Sequence, residues 1–333
     1  MIHGTVDPAM SENTLIPPSS SPIGLPVAGV APRFDWWPAL VRVLSSIEAV
    51  RDGRAMYILL SAFSLAGLAR ASAQASFGRG SLIWATGQGA AALFVVFYGS
   101  NAAGLVMMDR AQGRPGRDVI QAVEDALGIG HRVLTTLFVM GLTAAAVAGG
   151  LLGLYWLSSL PQIGHWLFVL VVPATVLVIG LVLVAGAAVV APLTGPSVWD
   201  GASSIDSVRM LFHLIRERLL QAAVLVAGLS LVTGLTSAAS SVIVLIGGRV
   251  MAEASVFVLG VDVNPEVLMA GLFGYGLHSI NAQGIPKEAL PYISAATVGG
   301  GVVFAVALVL PTLVYLRGVC EVYLALKASD DVA

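Results

Sequence analysis

Charge is what this chain has least of. Only 11% of its 333 residues are charged, where a soluble domain carries about 25%. No Asp, Glu, Lys or His falls in the middle of any long apolar run. A proton relay and a carboxylate cation site both need such a residue, and a voltage sensor needs a ladder of charges where the interior of the runs offers only Arg70, so each is disfavoured. The single cysteine, Cys320, excludes an internal disulfide and leaves a cysteine-based metal cluster short of ligands. The five histidines are scattered and show neither HxxxH nor HExxH spacing. Gly78-Arg79-Gly80 and Gly87-Gln88-Gly89 are not followed by the GK[ST] of a phosphate loop, and no serine has a neighbouring acid–base pair to activate it. No cofactor, metal or catalytic residue is therefore expected. A net charge of −2 likewise excludes a basic nucleic-acid binder.

The first 32 residues have no Lys or Arg but hold Pro17, Pro18, Pro22, Pro26 and Pro32. With neither a basic start nor an apolar core, this stretch lacks the marks of a secretory signal. It also lacks the apolar surface to offset its ordering entropy, so residues 1–34 are expected to form a disordered cytoplasmic tail. Met10-Ser11-Glu12 offers an alternative start to Met1.

What the chain does have is apolar length. The composition is 57% hydrophobic, the mean hydropathy is +0.89, and six runs stand out at about 55–77, 81–108, 133–157, 166–193, 219–247 and 293–317. Each approaches or exceeds the ~20 residues a helix needs to cross ~30 Å of hydrocarbon. The expected fold is all-α: a polytopic membrane protein with a six-helix transmembrane domain over 35–327 and a short tail at 328–333.

Thirteen of the 17 basic residues fall in alternate gaps. Arg33, Arg42, Arg51 and Arg54 precede the first run; Arg110, Arg114, Arg117 and Arg132 follow the second. Arg209, Arg216 and Arg218 follow the fourth, and Arg317 and Lys327 follow the sixth. The positive-inside bias then puts both termini in the cytoplasm of a cell inner membrane. Trp36, Trp37, Trp199 and Tyr323 fall at the inner boundary of this frame. Trp84, Tyr155, Trp156, Trp166 and Tyr292 fall at the outer one, where amphipathic rings suit the headgroup zone.

An amphipathic segment precedes each odd-numbered run: Leu40, Leu44 and Ile47; then Val119, Ile120, Val123, Ala126 and Leu127; then Ile205, Val208, Leu211, Phe212 and Ile215. The spacing predicts three helices lying in the interface, or else merely amphipathic linkers. Asp118 and Ser203 or Ser204 are the predicted N-caps. The apolar, glycine-broken segment 248–292 is expected to form re-entrant or surface-lying helices, with a small external cap as the alternative.

Few residues invite a role. Arg70 follows only 15 apolar residues, Ala55 to Ala69, so it either snorkels to the outer surface or contacts a lipid phosphate or anionic solute. Gln88, Tyr98, Ser100 and Asn101 lie in the second run as polar glue between helices or as the lining of a polar path. The Ser100/Gly104 and Gly149/Gly153 spacings permit close helix approach. Asp118, Glu124 and Asp125 mark a helix that could receive a partner.

The stretch Asp109-Arg110-Ala111-Gln112-Gly113-Arg114-Pro115-Gly116-Arg117-Asp118-Val119-Ile120-Gln121-Ala122-Val123 resembles a loop of several six-span bacterial membrane-protein families. These share a basic-Gly turn followed by an amphipathic helix containing an Ala, and are similar to the membrane domain of some glycerophosphodiester phosphodiesterases. The resemblance implies a shared architecture over 55–327. The phosphodiesterase barrel does not accompany it, so no catalytic residue carries over. Architecture alone also resembles that of ABC-2-type export permeases, which implies a cytoplasmic coupling helix, here 117–129, receiving an ATPase. The absence of buried ionisable groups favours a non-enzymatic scaffold or accessory subunit, with the lipid bilayer and other membrane subunits as partners. The alternative is a permease subunit for a lipid-linked or apolar solute that needs a separate ATPase; a membrane enzyme is the third reading.

Overall fold

A computed structural model describes residues 34–161, 164–259 and 290–330, with positions 269 and 272. Among these residues the chain is all-α. Helix α1 spans Trp36–Leu44 and passes into a 3-10 turn, Ser45–Arg51. The long helices are α2 (Gly53–Gly78), α3 (Leu82–Ala111), α4 (Val119–Leu157) and α5 (Gly164–Ala185). A π turn, Gly186–Val190, joins α5 to α6 (Ala191–Trp199); then come α7 (Ser204–Glu217), α8 (Leu219–Leu259) and α9 (Leu290–Asp330). Among the described residues six helical stretches, with α5–α6 counted as one, are long and apolar enough to cross a membrane. The chain is an all-α, multi-pass membrane protein whose spans contain or closely match the six runs of the sequence.

The differences lie at the ends of the spans. The amphipathic segment 118–129 is not a separate surface-lying helix; it forms the first turns of α4. That helix has 39 residues and is about 58 Å long, nearly twice the hydrocarbon thickness. No proline interrupts it, and Gly128 and Gly130 are tolerated inside a helix stabilised by packing. The segment before α8 is a separate helix, α7, whose N-cap Ser203 accepts a hydrogen bond from the Asp206 amide. The fifth span runs on as helix to Leu259, so 248–259 extends α8. Apart from positions 269 and 272, residues 260–289 lie outside the described residues, as do 1–33 and 331–333. Most of the expected re-entrant segment therefore falls there. Helix α9 continues through 328–330, where a tail was expected.

Pro192 follows a change of helical register that does not end its span. Pro192 has no N–H to give the Ala188 carbonyl, and its ring would crowd that carbonyl. The wider π turn at Gly186–Val190 sits where this conflict arises.

The core sits at the arginine-rich end. Every residue from Asn101 to Asp109 on α3 is buried. Leu59 of α2, Leu193 of α6, Leu211 of α7 and Leu313 and Leu326 of α9 meet in the same cluster. Trp199 and Tyr323 belong to it, so they are core side chains and not boundary rings. By contrast Trp37, Trp84, Trp156 and Trp166 are well exposed on the protein surface, as headgroup-zone rings would be.

Candidate functional site

Three carboxylates just outside the apolar runs organise the arginine-rich end. Asp52 caps α2: its Oδ1 accepts hydrogen bonds from the backbone N–H of Arg54 at 3.1 Å and Ala55 at 3.3 Å. Its Oδ2 is ion-paired with the Arg110 guanidinium at the end of α3. Arg54 reaches across to the α3–α4 loop, its Nη1 donating to the carbonyls of Gly116 (2.7 Å) and Arg117 (3.1 Å).

Asp109, on the last turn of α3, has a side chain only 5% exposed. Arg117 Nη2 donates to its Oδ1 at 3.3 Å. The 2.9 Å approach of Nε to Oδ2 is off the N–H direction, so it is an ion pair without a hydrogen bond. Arg117 also donates to Asp125 on α4 at 3.0 Å.

Asp200 gathers three donors from two helix ends. Gln112 Nε2 donates to Oδ1 at 2.5 Å, while Tyr323 Oη at 3.0 Å and Lys327 Nζ at 2.6 Å donate to Oδ2. Burial pushes the Asp200 carboxyl up, but the bonds from Lys327, Gln112 and Tyr323 outweigh it and hold the group below its ordinary value.

Beside Asp200, the Trp199 indole fills a notch between α3 and α6. A Cβ at Gly104 would collide with the ring, and one at Gly195 would lie 2.7 Å from it. The indole Nε1 donates to Asn101 Oδ1 at 3.0 Å, and Asn101 Nδ2 donates to the Phe97 carbonyl at 2.8 Å. Asn101 thus satisfies its buried amide with one tertiary and one local bond.

The polar residues of the second run therefore do not meet. Gln88 accepts a hydrogen bond from Ser76 Oγ at 3.1 Å, holding α3 to α2 near the opposite end. Tyr98 lies against Gly130 of α4, where a Cβ would clash with its ring. Ser100 is half-buried, and Asn101 and Gly104 serve Trp199. Gly149 and Gly153 are exposed, with open space where a Cβ would stand. Asp118 occupies the N-cap position of α4 without a side-chain cap bond, Glu124 is exposed, and Asp125 pairs with Arg117.

Arg70 borders an apolar cavity of about 440 Å³ between α2, α3 and α9, lined by Phe63, Gly67, Leu93, Val96 and Phe304 among others. At its wall Gly67 and Gly301 let α2 and α9 touch; a Cβ at Gly67 would sit 2.6 Å from the Gly301 carbonyl oxygen. Among the described residues no group of three or more His, Cys, Asp and Glu is placed to hold a metal ion.

Comparison with protein-family models, with curated proteins and with solved structures finds no match to this chain. The site rests on its own geometry. Asp52, Asp109, Asp200, Trp199 and Tyr323 escaped the sequence reading as site residues; each lies at the junction of an apolar run and a basic gap, and that juxtaposition was the signal for them.

Proposed function

We propose that this protein is a non-enzymatic integral protein of a bacterial inner membrane, acting as scaffold or accessory subunit of a membrane assembly. The arginine-rich end and both termini face the cytoplasm. One observation carries the reading: the spans are unequally buried. In α2, α3 and α9 between 33% and 56% of the most apolar window is buried inside the chain, whereas in α4, α5–α6 and α8 it is 11% or less. The latter three spans are tied down at the ion-paired end and leave their remaining length open on the outside.

Lipid tails are as apolar as leucine, so exposed leucines alone do not draw a partner in a membrane. Close backbone approach does, and α4 offers Gly141, Gly149, Gly150 and Gly153 with nothing within 4 Å. Partner helices laid there gain van der Waals contact that branched lipid-facing surfaces deny them. Purification in mild detergent followed by native mass spectrometry is expected to yield further membrane subunits in stoichiometric amount. Recovery of the chain by itself as a monomer contradicts the reading.

The Arg70 cavity favours a second reading: a permease subunit for a lipid-linked or apolar solute, working with a cytoplasmic ATPase. An apolar chamber bordered by Arg70 suits an amphiphile carrying an anionic group. The ATPase would dock on the protruding turns of α4, where Ile120 and Val123 are exposed beside Asp118 and Glu124. Stoichiometric recovery of an ATPase in the same purification selects this reading over the first.

A further inference from the structure

A second cavity, of about 500 Å³, opens at the arginine-rich end between the first turn of α2, the last turns of α3 and the loop to α4. Asp52, Gly53, Arg54, Val106, Arg110 and Arg114 line it, with Gly116. Three guanidinium groups against one carboxylate give this lining a net charge of +2. Two of the arginines are already fixed. Arg54 is held by the carbonyls of Gly116 and Arg117, which are neutral and leave its charge uncompensated. Arg110 is positioned by Asp52. Arg114 is exposed, and its side chain has no hydrogen bond or ion pair among the described residues. Gly53 and Gly116 bring backbone, without side chains, to the wall.

We propose that this cavity binds a phosphate group, presented either by the headgroup of an anionic membrane lipid or by a soluble phosphate compound. Planar guanidinium forks match phosphate oxygens in pairs, and prior fixing of Arg54 and Arg110 lowers the ordering cost of binding. The position at the end of two spans is also where basic pockets between helices take lipid headgroups. Nearby Arg117 does not contribute, because Asp109 and Asp125 neutralise it.

The test compares Arg114→Ala with Arg209→Ala, which removes the same charge from an exposed position on α7. The full chain is reconstituted in phosphatidylcholine nanodiscs with added phosphatidylglycerol, and retained lipid is counted by native mass spectrometry. In parallel, the melting temperature in detergent is followed as pyrophosphate is added. Loss of one surface guanidinium is expected to lower affinity about fivefold, the effect of ~1 kcal/mol per basic residue. If the wild type retains phosphatidylglycerol and Arg114→Ala loses it about fivefold while Arg209→Ala does not, the lipid is the source. If instead pyrophosphate stabilises the wild type and Arg209→Ala but not Arg114→Ala, without lipid preference, the source is soluble. If neither probe separates Arg114→Ala from Arg209→Ala, the proposal is overturned.

Discussion

Trp199→Ala is expected to destabilise the protein by about 3–5 kcal/mol, the usual cost of emptying a buried indole site. The ring is 7% exposed and sits where Gly104 and Gly195 have no side chains, so truncation leaves a void that neighbouring backbone cannot easily fill. It also strips Asn101 Oδ1 of its donor, adding the penalty of a buried unsatisfied amide. Trp199→Phe keeps most of the packing and loses the hydrogen bond, so it should fall well short of the alanine loss. Thermal melts of the detergent-solubilised variants check both the size and the order. Equal loss in the two variants would show that the bond, and not the volume, holds the site.

Asp200→Ala comes next, at about 3 kcal/mol. Removing one partner of a buried ion pair costs about 3–5 kcal/mol, and the low end applies because the Lys327 side chain is 45% exposed. The loss falls on the joint itself: Gln112, Tyr323 and Lys327 tie the ends of α3 and α9 to the α6–α7 turn through this one carboxylate. The same geometry gives a pH signature. The folded-state value of Asp200 is depressed, so its contribution is whole above an unfolded-state value of about 3.9 and is lost as the pH falls through the lower folded value. Melting the wild type and Asp200→Asn over a pH series checks this. The wild type should lose its advantage over the variant below about pH 4, and a gap unchanged at acid pH would contradict the clamp.

The six spans were legible because hydropathy measures length against a fixed hydrocarbon thickness, and all six runs exceed what a buried soluble helix needs. Continuity was not. Residues 118–129 read as a separate surface helix because polarity changes near Arg132, yet backbone hydrogen bonding does not break there and α4 runs through. Direction was not legible either: hydropathy gives Trp199 and Tyr323 a depth and says nothing of whether they face lipid or protein, and both turn inward. The carboxylates were passed over because a search for charges inside the runs cannot see Asp52, Asp109 and Asp200 just beyond them. Paired with Arg110, Arg117 and Lys327, they are what lets an arginine-rich end also be the packed end.

Labelling of single cysteines in intact cells tests this account most directly. In a Cys320→Ser background, Ser81→Cys and Ser159→Cys should react with a membrane-impermeant maleimide, while Arg114→Cys and Arg209→Cys should react only after the cells are opened. Labelling of Ser81→Cys and Arg114→Cys from the same side would contradict the arrangement of spans, and labelling of Arg114→Cys in intact cells would contradict the proposed cytoplasmic facing of the ion-paired core.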